Sequence, residues 1–371
     1  MKIIMCCGGT GGHVYPALVT ARELRKRDVE AVFVLPKRTR LASVPARENF
    51  KVEFLDVRGV PRKNLFNACA SLAGIAFSFP RVLEIIAKVN PFAVAGFGSY
   101  VSFPVLVLAR LLGVPVLIHE QNLVPGLANK ILSKISNIIA ISFPESEQYF
   151  PAGKTVLTGN PIRQEILESA GDTGRVSRAT AGRKKYFTVL VFGGSQGSRS
   201  INRVVAESLG FLADRKDKIK FIHITGENDY GWVRHFYDKT AFHCEVVPYS
   251  ENIGKYYAES DVVISRAGAG TIAELVALAK PSILIPFPHA TESHQYLNAK
   301  YLFDRGCAAL IEEEKLSPQL LLIMVEKLMS DPQKIKDMEN SCRALSRINS
   351  PEKYIWEALL DLAPSTFCLS P

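Results

Sequence analysis

Paired cysteines, membrane-length apolar runs and the common metal and nucleotide signatures are what this sequence lacks. Its seven cysteines (Cys6, Cys7, Cys69, Cys244, Cys307, Cys342, Cys368) are scattered, odd in number and never spaced as CxxC. That spacing fits reduced thiols in a cytosol better than a disulfide frame or a zinc site. The opening MKIIMCC meets a glycine turn too soon to be a signal peptide. The most apolar stretch, YVSFPVLVLARLLGVPVLIH, is broken by Pro104, Arg110, Gly113 and Pro115. A bilayer span needs roughly 20 predominantly apolar residues, so this stretch reads as a buried helix followed by a buried strand. No segment is expected to cross a membrane. HExxH, EF-hand loops and DxD pairs are missing too, so no protein-held metal is expected.

Nucleotide motifs fail on spacing. A dinucleotide fingerprint counted from Gly9 puts Val14 where its third glycine belongs, and EAVFVLPKR lacks the acidic residue for the ribose. The one GKT, at Gly153, has Gln148 where a P-loop needs its first glycine. NAD and ATP bound through those motifs are excluded, and no cofactor is expected.

What remains is a soluble composition, 47% hydrophobic and 22% charged, in 371 residues, a length that suggests two domains. The net charge of +9 points to an anionic partner (phosphate, nucleic acid or an acidic membrane surface) or simply to solvated side chains.

Periodicity predicts a strand at Lys2–Met5, a glycine turn, and a helix from about Pro16 to Lys26 with Ala17, Leu18, Ala21 and Leu24 on one face. EAVFVLP, FAVAG, PVLIHE and NIIAIS read as further strands. Near Lys184 the plan restarts: YFTVLVF runs into GGSQGSRSIN, and KFIHIT, DVVISR and SILIPF continue the series. Between the halves, ESAGDTGRVSRATAGRKK reads as a surface loop. Apolar strands alternating with helices indicate an α/β protein with two parallel, doubly wound sheets, whose ligands belong outside the carboxyl ends of the strands. With two sheets, the expected site is a cleft between them.

Three glycine turns follow apolar strands: GGTGGH, GFGS (Gly96 to Ser99) and GGSQG (Gly193 to Gly197). Such turns offer free N–H groups and the positive end of a helix to an anion. A tight strand–helix connection with no ligand explains any one of them equally well. Polar islands stand at other strand ends: HEQNLVPG, GNPIR, SRAGAGTIAE and PFPHATESHQYLNA.

Taken in order, GGTGGHVYPA, GFGSYVS, HEQN, GNPIR, GGSQGSRSIN, SRAGAGTIAE and HQYLNA resemble the motifs of the MurG family, bacterial transferases that add N-acetylglucosamine to lipid I to make lipid II. The resemblance runs from Gly8 to Ala299. It implies a GT-B fold, two Rossmann-like domains facing across a cleft: 1–162 on the acceptor and membrane side, 163–349 binding the donor, and a C-terminal helix about 350–371 packing back on the first. It implies inverting transfer from UDP-N-acetylglucosamine without a protein-bound metal. By motif, Glu274 would meet the ribose hydroxyls, Ser195 the diphosphate, and Ala269, Gly270, Thr271, Ile272 and Ala273 the ribose and phosphates. The Ser250 backbone would read uracil, and His294 and Gln295 would meet the sugar. Arg163 and Asn122 match further donor contacts, as do Thr10, Gly11 and Gly12. His13 would be the general base toward the 4-hydroxyl of the acceptor, a task suited to a group titrating near neutral pH. Glu120 would assist or orient it, and Tyr100 would line the acceptor site.

The chain also departs from the family. Ser99 stands where glycine is usual, which leaves the turn intact if its φ is negative. Ala267 replaces a common serine, and ATES departs from an acidic run. Partners implied are UDP-N-acetylglucosamine, lipid I and an anionic membrane surface, with no nucleic acid. Arg58, Arg62, Lys63 and Arg81 beside Leu65, Phe66, Leu72, Ile75, Phe77 and Phe79 suit peripheral attachment at the cytoplasmic face of the plasma membrane; a core helix with solvated flanks is the other reading. Two rival functions stay open: another GT-B enzyme, such as a UDP-sugar 2-epimerase or a transferase with a different acceptor, and a non-catalytic sugar-nucleotide-binding scaffold.

Overall fold

A computed structural model describes residues 1–37, 39–57, 74–168, 185–194, 196–346, 348 and 350–363. The loop 169–184, Ser195, and Arg58, Arg62, Lys63, Leu65, Phe66 and Leu72 lie outside the described residues. The chain divides into two compact units, Met1–Ile162 with Ser350–Pro371 and Arg163–Asn349.

In the first unit the elements run β1 (Lys2–Cys6), α1 (Gly11–Arg25), β2 (Glu30–Pro36), α2 (Ser43–Arg47), β3 (Lys51–Leu55), α3 (Phe79–Val89), β4 (Ala93–Gly96), α4 (Ser102–Leu111), β5 (Val116–Glu120), α5 (Leu127–Leu132), β6 (Ile138–Ile141) and β7 (Thr155–Leu157). The strands pair parallel in the order β3-β2-β1-β4-β5-β6-β7. Successive side chains of a strand face opposite ways. Ile3 and Met5 therefore join one buried layer with Phe33, Ala95 and Leu117, while Ile4 and Cys6 join the other with Val32, Val94 and Ile118. Strands covered on both faces have to be apolar throughout, hence their unbroken apolar runs.

The second unit repeats the plan with β8 (Phe187–Phe192), α6 (Arg199–Ser208), β9 (Ile219–Ile224), α7 (Tyr230–Asp238), β10 (His243–Val247), α8 (Ile253–Glu259), β11 (Val262–Ser265), α9 (Ala269–Ala277), β12 (Ser282–Leu284), α10 (His294–Asp304), β13 (Ala308–Leu310), α11 (Pro318–Ser330) and α12 (Pro332–Leu345). Its strand order is β10-β9-β8-β11-β12-β13, again parallel. A final helix, α13 (Pro351–Leu360), packs on α1 and puts Ile355, Trp356, Ala358 and Leu359 into the first unit's core.

One expected boundary moves. Helix α1 begins at Gly11 and not near Pro16. The Val14 N–H bonds the Thr10 carbonyl at 3.0 Å, so the first turn closes upstream of the proline. Pro16, lacking an N–H, forfeits only one bond close to the helix start. The expected face holds, with Ala17, Leu18, Ala21 and Leu24 all buried.

Two histidines sit inside these cores with no exposed surface. His119 on β5 hydrogen-bonds the Gly159 carbonyl through Nε2 at 2.9 Å, and His223 on β9 meets Asn202 Oδ1 and the Tyr237 hydroxyl. Burial drives both below the usual histidine value, His119 to about 4 and His223 to about 3, against the raising effects of the Gly159 carbonyl and Asp229 respectively. The unfolded chain, titrating near 6.5, binds more protons than the folded one below that pH. Stability is thus complete above pH 6.5 and is lost as pH falls toward the folded values. Each histidine should lower the unfolding free energy by about 2 kcal/mol between pH 7 and pH 5. Urea titrations at both pH values test this, and His223→Gln should narrow the gap between the two midpoints.

Candidate functional site

Both sheets reverse their strand order once, at β1–β4 in the first and β8–β11 in the second. Loops leaving those strand pairs diverge and open a crevice, the usual ligand position in such folds. The GGTGGH and GFGS turns leave β1 and β4, and the GGSQG and SRAGAG segments leave β8 and β11.

His13 lies in the first turn of α1, with Nδ1 2.9 Å from Thr10 Oγ1. Its ring fills a slot between the two turns. A Cβ added at Gly8 would sit 2.9 Å from His13 Nδ1, and one at Gly98 would sit 2.9 Å from His13 Cδ2. Gly98 also adopts φ +82°, where a side chain is strained. These glycines make room for the imidazole itself. Gly11 and Gly12 belong to the helix's first turn, and nothing lies near a Cβ placed at Gly12.

Ser99 corrects an expectation: its φ is +74°, in the left-handed region and not negative. Its side chain packs against Gly8, where an added Cβ would be 2.6 Å from Ser99 Cβ. Tyr100 follows, half-buried against the layer of Val101 and Val105.

Glu120 ends β5 and is 2% exposed. Its Oε1 accepts from the Asn122 N–H at 2.9 Å, and its Oε2 accepts from Asn129 Nδ2 at 2.8 Å and the Gly126 N–H at 3.3 Å. Burial pushes its carboxyl above the usual range against these donors. The carboxylate therefore clamps the loop carrying Asn122. Beside it, Gln121 Nε2 donates to the Phe97 carbonyl at 3.1 Å and ties this loop to the turn after β4.

In the second unit the turn after β8 packs directly on the loop after β9. A Cβ at Gly197, which has φ +78°, would lie 2.1 Å from the Thr225 carbonyl oxygen. Neighbouring Gly226 donates to the Pro248 carbonyl at 3.0 Å, holding the loop that leads to Ser250. Ala269, Gly270, Thr271, Ile272, Ala273 and Glu274 are the first six of the nine residues of α9, so Glu274 comes about one and a half turns into the helix. Its carboxylate takes a hydrogen bond from the Tyr257 hydroxyl at 2.8 Å and lies 3.7 Å from an Arg163 guanidinium nitrogen. Burial raises its pKa, opposed by Arg163 and Tyr257. The fold thus brings Arg163 and Glu274 together.

Loop 286–293 leads to α10. Gln295 Oε1 accepts from the Phe287 N–H at 3.0 Å, and His294 Nδ1 lies 2.6 Å from the Thr291 carbonyl oxygen. Burial holds His294 below its usual value. Glu292 and Ser293, with φ +54° and +50°, both take the left-handed conformation ahead of this pair.

Sequence reasoning passed over two residues here. Tyr257, fully buried, aims its hydroxyl at Glu274, and Arg266 bridges several of these loops. The arginine inside the small-residue run SRAGAG was the available signal; Tyr257 gave none.

Models of glycosyltransferase family 28 match this chain, the N-terminal domain over residues 3–141 and the C-terminal domain over 188–351. A UDP-N-acetylglucosamine–N-acetylmuramyl-(pentapeptide) pyrophosphoryl-undecaprenol N-acetylglucosamine transferase of Myxococcus xanthus is 38% identical over 369 residues, covering 99% of this chain and 94% of that protein. The protein of the same name from Thermodesulfovibrio yellowstonii is 39% identical over 357 residues, covering 96% and 97%. Among solved structures, MurG of Acinetobacter baumannii superposes with a TM-score of 0.78 at 27% identity, covering 98% of each chain.

The positive φ of Ser99 yields a stability prediction. A non-glycine residue held there costs about 1–2 kcal/mol, and glycine loses roughly 0.4–1 kcal/mol more chain entropy on folding. Ser99→Gly should therefore stabilise the protein by about 0.5–1 kcal/mol, read as a higher urea midpoint at unchanged slope.

Proposed function

The chain belongs to glycosyltransferase family 28, among the UDP-N-acetylglucosamine–N-acetylmuramyl-(pentapeptide) pyrophosphoryl-undecaprenol N-acetylglucosamine transferases, and from that premise we propose how its residues divide the reaction. The substrates are UDP-N-acetylglucosamine and lipid I, and the product is lipid II. His13 takes the proton from the 4-hydroxyl of the muramyl sugar as that oxygen attacks the anomeric carbon. The bond from that carbon to the diphosphate breaks, UDP leaves, and the anomeric centre inverts. Thr10 Oγ1 lies 2.9 Å from His13 Nδ1; in the tautomer that carries its proton at Nδ1, Nε2 is the nitrogen that takes the hydroxyl proton.

The second unit takes the donor. Glu274, oriented by Tyr257, accepts from the ribose hydroxyls. Ser195 and the amides of the turn after β8 receive the diphosphate, whose charge grows as the bond breaks, and Arg163, beside Glu274, makes a further donor contact. The Ala269–Ala273 backbone runs beside it, Ser250 meets uracil, and His294 and Gln295 meet the sugar. Thr10, Gly11, Gly12 and Asn122 complete the donor contacts. Glu120 acts on Asn122's loop as a positioning residue, since its carboxylate is taken up by that loop, and Tyr100 lines the acceptor side.

The observation that carries this reading is the His13 ring seated between the turns that leave β1 and β4. Incubation with UDP-N-acetylglucosamine and a short-chain lipid I analogue should yield the disaccharide product and UDP. His13→Ala should lower kcat by about 10²–10⁴-fold with UDP binding unchanged. Glu274→Ala should instead raise the KM for the donor. Loss of UDP binding in the His13 variant would overturn the division of roles.

Attachment to the membrane surface completes the proposal. Among the described residues no helix is long and apolar enough to cross a membrane. Helices α3, α4 and α5 pack side by side. They and the segment before them expose Phe77 (83%), Leu111 (76%), Leu83, Leu112, Leu127 and Ile131, near the exposed cations Arg110 and Lys134. Arg81 is a weaker lipid contact than its charge suggests, being paired with Glu53 and Glu84 at 2.6 and 2.7 Å. Ile75 is buried and Phe79 half-buried. An apolar surface flanked by cations suits anionic lipid. The protein should float with phosphatidylglycerol vesicles and stay behind with neutral ones, and Phe77→Ser with Leu111→Ser should abolish flotation. Equal recovery with both lipids would count against the anionic surface.

A further inference from the structure

Arg266 follows β11, the strand paired with β8, and so stands beside the turn 193–198. It is 8% exposed. Its Nη2 donates to Ser198 Oγ at 2.8 Å and Ser200 Oγ at 3.0 Å, and its Nη1 donates to the carbonyls of Ile285 and Pro286 at 3.1 and 3.0 Å. Glu313 pairs with the same guanidinium. One planar fork thus ties the turn after β8 to the loop after β12, the loop that Gln295 also holds through the Phe287 N–H.

One feature of this arrangement runs against ordinary helix chemistry. Ser198 is the N-cap of α6, a position where a serine hydroxyl normally accepts from an N–H of the first turn. Here its side chain makes no such bond, and the hydroxyl is held by Arg266. The Arg266 charge itself is met by Glu313. The missing cap is accounted for if an anion occupies that helix end, because the withdrawn hydroxyl no longer competes for the N–H groups.

We propose that Arg266 is a positioning residue for the donor's diphosphate: it draws the Ser198 hydroxyl off the amino end of α6 and leaves that end's N–H groups open to phosphate oxygens. This rests on the reading that the turn after β8 receives the diphosphate. Through Ile285 and Pro286 the same side chain fixes the sugar-side loop against the phosphate turn.

The test compares UDP with uridine by calorimetry on the full chain. Wild type should bind UDP far more tightly than uridine. Arg266→Met should weaken UDP at least about tenfold while changing uridine affinity less than about twofold. Adding Ser198→Ala to Arg266→Met should recover part of the UDP affinity, since the freed hydroxyl can then no longer cap α6. A purely structural arginine would give no such rescue and would weaken both ligands together; either result overturns the proposal. Arg266→Lys, which keeps the charge but loses the fork, should show an intermediate UDP loss and serves if Arg266→Met does not fold. Wild type binding UDP and uridine equally would sink the reading of the turn, whereas unchanged discrimination in the Arg266 variants would sink only the positioning role.

Discussion

Pairing of β1 with β4 and of β8 with β11 is the constraint on which the molecule depends. At each pair the chain has already wound outward one way and starts to wind the other, so the connections that follow run to opposite faces. The ends of those strands are where backbone can approach a ligand without a helix in the way. Burial of the strands on both faces makes them apolar, and the polar chemistry is pushed into the turns at their ends. A two-sided sheet therefore dictates where His13, Glu120, Arg266 and the glycine turns can stand.

Within that frame the glycines act in two ways. Bare backbone after β1 and β4 accommodates an imidazole as much as any substrate, since side chains at Gly8 and Gly98 would collide with the His13 ring. In the second unit, Gly197 lets the turn after β8 lie on the Thr225 carbonyl. Buried polar side chains then fix the loops in place, Glu120 for the Asn122 loop and Arg266 for the two loops beside α6. Each carries several hydrogen bonds, as buried charges must.

How much was legible in the sequence follows from burial. Strands with both faces covered, such as EAVFVLP and YFTVLVF, announce themselves as unbroken apolar runs. The sequence names no strand at β3, β10 or β13, and places one at β7 only through the GNPIR island at its end; these four are the sheet margins. All four carry half-exposed residues, and β7 and β13 have only three residues each. Position His13 was legible because a titratable group inside a glycine turn is unusual. The start of α1 was misjudged because a proline near a helix start reads as its opening, whereas glycines there give no propensity signal. Backbone angles are not written in composition, which is why the Ser99 conformation emerged only with the fold. Pairings between distant segments, Arg163 with Glu274 or Arg266 with Ser198, depend on strand order and were out of reach for spacing alone.

Helix α13 gives the fold a temporal asymmetry. Its Ile355 and Leu359 close the core over α1, yet they are made only after all of Arg163–Asn349 has been synthesised. Domains generally fold as units while synthesis proceeds from the amino end. Here the unit that is started first is finished last: its neighbour has every residue it needs while the α1 side still waits for its cover. A nascent chain interrupted before Ile355 leaves the ribosome with one complete unit and one apolar face unsealed, the kind of surface on which chaperones act.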